Sequence, residues 1–122
     1  MRLPVGPKAP AQAREIVRDV VPSPELGPKA ELLTSEIVSN AVKHSGMTPD
    51  DDLELNIDIE EGTVRVSVSD TGPRFEKPEN PSPDYGYGLA LVDLLSDRWG
   101  VVHDGANDVW FEIDLPPIPL SG

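Results

Sequence analysis

Apolar residues in the first third of the chain fall at helical spacing in two segments. Between residues 11 and 21 they recur every three or four positions, at Ala13, Ile16, Val17, Val20 and Val21. Prolines and a glycine interrupt the pattern at residues 22–28. From Pro28 to Ser45 a wider stripe consists of Leu32, Leu33, Ile37, Ala41 and Val42. This spacing predicts two amphipathic helices, the second longer than the first.

The middle of the chain changes to strict alternation, which is typical of strands with one buried face. Apolar and polar residues alternate over 53–60 and again over 64–69, and Glu61-Gly62 separates the two runs. A tight turn at these two residues would join the strands into a hairpin. The first residues, 2–5, read as a short edge strand.

The second half predicts a loop, a helix and another hairpin. Residues 71–87 are rich in turn formers and proline, a length of loop that proteins usually keep for function. Helical spacing then runs from Gly88 to Trp99. Strands over 100–103 and 109–115 would turn at 104–107.

The order of these elements predicts an α+β fold. Antiparallel hairpins with helices over one face form a two-layer α/β sandwich around a mixed, mainly antiparallel sheet. With 122 residues, the chain has room for one core. We therefore expect a single domain over 1–115 and a flexible, proline-rich tail over 116–122.

Charge and composition restrict the partners. The net charge of −12 would repel nucleic acid and anionic membranes, and it favours a partner with a basic contact surface. The chain contains no cysteine, so disulfides and zinc-thiolate sites are excluded. No apolar stretch approaches the length of a membrane span, and no signal peptide is visible. These features predict a cytoplasmic protein.

The first candidate site lies on the second helix. Glu36, Asn40 and His44 are spaced by four, so they form one polar line along a helix that otherwise faces the core. A carboxylate and an amide there could hold a divalent cation or take a proton from a nucleophile. The alternative is an exposed polar stripe, in which His44 only interacts with the helix dipole.

Two glycine-containing turns are the other candidates. Asp70-Thr71-Gly72 ends a strand, and its carboxylate could accept a hydrogen bond from an adenine amino group. Gly86-Tyr87-Gly88 opens a helix, where free amides could face an anion. Each is also compatible with an ordinary turn. The second lacks the lysine of a P-loop and the third glycine of a dinucleotide fingerprint.

In combination and in this order, these segments resemble the histidine-kinase-like ATPase superfamily. Residues 31–44 resemble its asparagine box, Asp70–Pro73 and 86–92 resemble its two glycine boxes, and 109–113 resemble its closing strand. The resemblance covers about residues 9–115. Within the superfamily, the closest resemblance is to the ATP-binding proteins of the bacterial anti-sigma-factor serine/threonine-kinase type.

The resemblance implies ATP and Mg²⁺ as cofactors and assigns roles to single residues. Asn40 would coordinate a magnesium ion that bridges the phosphates. Glu36, one turn earlier, would be the general base. Asp70 would bind the adenine amino group, with Gly72 beside the base.

The second glycine box would hold the phosphates. Backbone amides of Gly86 and Gly88 would contact them, and Leu89 belongs to the same nucleotide-binding set. Residues 73–85 would form a lid over ATP. This lid is short and carries only two cations, Arg74 and Lys77.

Three functions are compatible with these features. The first is a kinase that phosphorylates an antagonist protein and sequesters a sigma factor, which the presence of Glu36 favours. The second is a nucleotide-binding switch without phosphoryl transfer, which the cation-poor lid favours. The third is a degenerate protein-interaction module. The expected partners are a sigma factor, an antagonist protein or both, and a homodimer is compatible with the sequence.

Overall fold

The computed structural model describes residues 1–21, 24–44, 52–70, 87–103 and 107–114. These residues form three helices, α1 (Ala9–Val20), α2 (Gly27–His44) and α3 (Tyr87–Leu95). They also form five strands, β1 (Arg2–Pro4), β2 (Asp52–Glu60), β3 (Thr63–Asp70), β4 (Arg98–His103) and β5 (Asn107–Asp114). The expected lid, the tail and the turn between β4 and β5 lie outside the described residues.

The strands form one sheet in the order β1-β2-β3-β5-β4. All four pairings of the described strands are antiparallel, which confirms the mainly antiparallel sheet that the sequence predicts. β3 is the central strand, and it pairs with β5 rather than with the strand that follows it in the chain. Two elements distant in sequence therefore meet in the middle of the sheet.

The turn between β2 and β3 has the conformation that its sequence suggests. Glu61 has φ 46° and Gly62 has φ 81°. Two consecutive residues with positive φ form the turn whose twist matches an antiparallel hairpin. Glycine adopts this conformation without steric strain, whereas in a glutamate the Cβ atom makes a positive φ less favourable. The turn sets the register in which Glu60 pairs with Thr63.

The two faces of the sheet differ in burial. Along β3 the buried positions are Val64, Val66, Val68 and Asp70, and the residues between them are only partly buried. α2 packs on β3 and β5, and α1 packs on β1 and β2. The three helices also contact one another through α2. The architecture is thus the two-layer sandwich expected, with the described helices on one face.

The core lies between these layers and is almost entirely aliphatic. Its largest fully buried side chain is Phe111 of β5. The same cluster of buried side chains, from the sheet and α2, includes Leu33, Ile37, Leu53, Leu55 and Val66. An ion pair between Arg18 and Glu31, with 2.9 Å between Nη2 and Oε1, joins α1 to α2 at the surface.

The predicted end of the third helix is wrong. α3 ends at Leu95, and Trp99 lies in β4, where it pairs with Phe111. The backbone amide of Ser96 still bonds to Val92 O, but that of Asp97 donates to Glu112 O at 2.9 Å and so joins the sheet. Helical spacing misled the prediction because Trp99 falls in step with Leu95 although it belongs to a strand.

One member of the predicted α2 stripe is also misplaced. Leu32 is 40% exposed, whereas Ala30, Leu33, Ile37 and Val38 are buried. The buried stripe is therefore centred about one residue away from the predicted one. The shift brings the polar residue Thr34 into the core, with no exposed surface.

We predict that Thr34→Val stabilises the protein by about 1 kcal/mol. The Oγ1 atom of Thr34 is buried and has no hydrogen-bond partner in the described part of the chain. A methyl group of the same size removes the cost of burying that hydroxyl. Urea unfolding of both proteins measures the difference. A matched change, Ser35→Ala, should destabilise instead, because Ser35 Oγ donates to Leu32 O at 2.9 Å.

Candidate functional site

Two polar side chains on α2 define one side of the candidate site. Asn40 is buried, with 7% of its surface exposed, and Glu36 is partly exposed one turn earlier. Both side chains can offer oxygen atoms to a ligand, a carboxylate from Glu36 and an amide carbonyl from Asn40. The interpretation as an exposed stripe is therefore wrong at Asn40, which is buried.

Asp70 contributes a carboxylate from the sheet. It is the last residue of β3 and is only 5% exposed. The alternation along the strand places it on the face that carries Val66 and Val68, which is the face that the helices cover. α2 packs on that face. Asp70 and Asn40 thus belong to the same boundary between sheet and helices, one at the end of a strand and the other near the end of a helix.

The start of α3 is the third part of the candidate site. α3 begins at Tyr87, so the Gly88 backbone lies in its first turn, where amides have no acceptor within the helix. Leu89 is fully buried and belongs to the core beside α2, so its side chain acts first as a packing residue. Gly72 and Gly86 lie outside the described residues.

The C-terminal end of α3 is held to the sheet. Trp99 Nε1 on β4 donates to Asp93 Oδ1 on α3 at 2.8 Å. The amide of Asp114 donates to Asp97 Oδ2 at 2.7 Å, just after the helix. The helix is thus anchored at one end, and its other end follows directly on residues 71–86.

The groups of the candidate site can be compared with the ligands that a metal ion would need. The described residues contain no cluster of three histidine, aspartate or glutamate side chains that could hold a metal. An amide oxygen such as that of Asn40 suits Mg²⁺, which usually takes its other ligands from substrate phosphates and water. The residues present therefore fit Mg²⁺ brought in with a nucleotide.

Sequence reasoning missed a polar network on the opposite face of the sheet. Glu112 on β5 accepts hydrogen bonds from Arg98 Nε at 2.7 Å and from Arg65 Nη1 at 3.1 Å. Hydrogen bonding from Arg98, and then from Arg65, lowers the pKa of the Glu112 carboxyl. Arg98 likewise lowers the pKa of Asp114. The alternation of polar residues placed these side chains outward, but only the β3–β5 register brings them together.

Comparison with known proteins agrees with this architecture. The family described as the histidine kinase-like ATPase domain matches residues 6–113. An uncharacterised protein of Streptomyces coelicolor is 31% identical over 75 residues, which cover 58% of this chain and 70% of that protein. None of the helices in the described part of the chain is long and apolar enough to cross a membrane.

A solved structure shows the same fold. The blue-light activated histidine kinase of Erythrobacter litoralis superimposes with a TM-score of 0.57 at 20% identity, over 93% of this chain. The chain corresponds to 46% of that kinase's length. Together with the family match over most of its residues, this shows that the chain belongs to the histidine kinase-like ATPase domain family.

Proposed function

We propose that this protein is an ATP-binding regulator that phosphorylates a serine or threonine of an antagonist protein and thereby controls a sigma factor. The observation that carries the proposal is the burial of two polar side chains, Asn40 on α2 and Asp70 at the end of β3, in an otherwise almost entirely aliphatic core. Asn40 stands one helical turn from Glu36, in a chain of an ATPase-domain family. Both are oxygen-bearing groups of the kind that a magnesium nucleotide and a hydroxyl nucleophile require.

Binding of the nucleotide would use three groups. The ionised Asp70 carboxylate, which can only accept hydrogen bonds, would accept one from the adenine amino group. The first turn of α3, which includes Gly88, would present backbone amides and the positive end of the helix dipole to the phosphates. Asn40 would hold Mg²⁺, which supplies positive charge that the acidic chain itself lacks.

Transfer would depend on Glu36. Its partly exposed carboxylate would take the proton of the attacking hydroxyl. The hydroxyl oxygen would form a bond to the γ-phosphorus while the bond from that phosphorus to the bridging oxygen breaks, so ADP leaves. Positioning and charge neutralisation account for most of the rate in such reactions.

A nucleotide-binding switch without transfer is the second candidate. The segment 73–85 contains only two cations, Arg74 and Lys77. Phosphoryl transfer is promoted by positive groups near the leaving phosphate, so a chain with few of them can hold ATP without using it. In that case partners would distinguish the ATP-bound and the ADP-bound protein. A homodimer is compatible with either candidate.

We expect Glu36→Gln to keep ATP binding and to lower phosphoryl transfer by about 10²–10⁴-fold. The amide has the size of the carboxylate but cannot accept the proton. Calorimetric titration with Mg-ATP measures binding, and transfer of radiolabelled phosphate to an antagonist protein measures activity. Glu31→Gln is the matched control on the same helix. Glu31 forms an ion pair with Arg18 and has no proposed role in catalysis, so this variant should transfer phosphate like the wild type.

The outcomes separate the candidates. Transfer that is unimpaired in Glu36→Gln excludes Glu36 as the base. Binding of Mg-ATP by the wild type without any transfer supports the switch. Lack of binding at millimolar ATP eliminates both nucleotide functions and leaves a protein-interaction module of the same fold.

A further inference from the structure

The face of the sheet away from the helices carries a group of carboxylates near the β2–β3 turn. They lie on the outward positions of β2 and β5 and in the turn itself, and they are Asp58, Glu60, Glu61, Glu112 and Asp114. Two arginines, Arg65 and Arg98, lie among them. We call these seven residues the outer patch. Five carboxylates and two guanidinium groups give it a net charge of −3.

Both arginines of the outer patch are already paired. Arg65 Nη1 lies 3.1 Å from Glu112 Oε2, and Arg98 bonds to Glu112 and to Asp114. The other three carboxylates, Asp58, Glu60 and Glu61, are exposed and form no ion pair with any residue that the structure describes. The uncompensated charge of the outer patch is therefore concentrated at the β2–β3 end.

These carboxylates border a depression rather than a flat surface. A cleft of about 450 Å³ is lined by six members of the outer patch and by Thr63. Its walls are Asp58, Glu60 and Glu61 on one side and Arg98 and Glu112 on the other, with Arg65 between them in the strand order. The cleft has room for long side chains that enter from a partner.

An aromatic platform lies beside the cleft. The Trp110 ring on β5 is partly exposed, and the Arg65 guanidinium carbon lies 4.2 Å from its centroid. A Cβ atom added to the opposite residue, Gly100, would come within 3.0 Å of Trp110 Nε1. The indole therefore lies close against β4, in space that the glycine leaves open. Arg65 joins the platform to the charged cleft, since it contacts Trp110 and Glu112 together.

We propose that the outer patch and Trp110 form the docking surface for a protein partner whose contact segment is rich in lysine and arginine. Cationic side chains of the partner would enter the cleft and pair with Asp58, Glu60 and Glu61. An apolar or aromatic side chain would pack on Trp110, a residue type that dominates the energy of many interfaces. Complementary charge supports a basic protein, because nucleic acid and a second copy of this acidic chain would both be repelled.

The location separates docking from nucleotide binding. Asn40 is buried on α2 and Asp70 is on the buried face of β3, whereas the outer patch is on the opposite face of the sheet. A partner on the outer patch would leave the nucleotide groups accessible. The inference rests on the proposed regulatory function, because a regulator needs a partner. Peptide binding to the outer patch is measured without nucleotide, so a negative result there would not bear on ATP binding.

The test neutralises two carboxylates of the outer patch, in the double variant Asp58→Asn/Glu60→Gln. The matched control is Glu15→Gln/Asp19→Asn, which makes the same change of charge on the exposed side of α1. The probe is a fluorescein-labelled peptide in which arginine alternates with threonine and which carries one leucine. Fluorescence anisotropy in low salt measures its affinity, and NMR amide shifts locate it on the protein.

We expect the outer-patch variant to bind the peptide about tenfold more weakly, and the control variant to bind within about twofold of the wild type. Binding to the wild type should weaken as salt is added. Amide shifts should be concentrated in β2, β3 and β5 near Asp58, Arg65 and Trp110.

Equal weakening in both double variants would overturn the proposal, because it would show a response to net charge alone. Shifts concentrated on the helices would also overturn it. A dimer in sedimentation experiments that the outer-patch variant dissociates would assign the surface to a second copy instead. Failure of the wild type to bind Mg-ATP would contradict only the proposed function, since the peptide is titrated without nucleotide.

Discussion

Asp70→Ala is expected to reduce ATP affinity by at least about 100-fold while the protein stays folded. The carboxylate is 5% exposed at the end of β3, so it lies in a nearly dry environment in which a hydrogen bond to a ligand counts strongly. A site built to accept a hydrogen bond from the adenine amino group loses most of its recognition when the acceptor is removed. Isothermal titration with Mg-ATP gives the affinity, and circular dichroism confirms the fold.

Two comparisons make this test specific to the base. Ser69→Ala changes the preceding residue, which lies on the other face of the sheet and bonds to Asp108 Oδ1 at 3.1 Å. That variant should bind ATP like the wild type. Inosine triphosphate, which has a carbonyl in place of the amino group, should bind the wild type weakly. If Asp70→Ala still prefers ATP to inosine triphosphate, the assignment of Asp70 to adenine recognition is wrong.

Phe111→Ala is expected to destabilise the protein by about 3–5 kcal/mol. The ring has no exposed surface and lies on β5 between its partners Val66 of β3 and Trp99 of β4. The ring belongs to a cluster of buried side chains, so its removal would leave a cavity that the neighbours fill only in part. A loss of this size is a large part of the 5–15 kcal/mol that is typical for a folded domain.

Urea denaturation measures the change in the free energy of unfolding, with the denaturant slope (m-value) fitted separately for each protein. Ile59→Ala is the control, because Ile59 is also an apolar residue of the sheet but is 40% exposed. We expect that change to cost about 1 kcal/mol or less. Similar losses in the two variants would show that Phe111 is not the centre of the core.

Much of the fold could be predicted because its strongest signals are local. Alternation over 53–60 and 64–69 and the Glu61-Gly62 turn specify a hairpin within about twenty residues of chain. The apolar stripe of the second helix is similarly local. In each case the structure confirms the element and moves its ends by one or two residues.

The errors have a common physical cause, which is tertiary context. Leu95 and Trp99 are in helical step, yet hydrogen bonds from Asp97 and Asp114 draw the chain into the sheet after Ser96. Leu32 is apolar but exposed, because the orientation of α2 on the sheet, and not hydrophobicity alone, decides which face is buried.

The candidate site was predictable in part. Residue type and order along the chain single out Asn40 and Asp70. The structure adds that both side chains are buried. Their roles, and those of Glu36 and Gly88, remain predictions, and Gly72 and Gly86 lie outside the described residues. The outer patch could not be predicted, because Arg65 and Glu112 are neighbours only through the pairing of β3 with β5.

That pairing also has a consequence for folding and for evolution. Asp70 is opposite Asn107, so the two ends of the intervening segment are held in neighbouring strands. Closing so long a segment is slow compared with forming the local β2–β3 hairpin, which we therefore expect to form first. Within that segment, doubling the length of a flexible connection between β3 and α3 would cost only about 0.6 kcal/mol in chain entropy. We therefore expect insertions between β3 and α3 to leave the sheet that carries Asp70 intact.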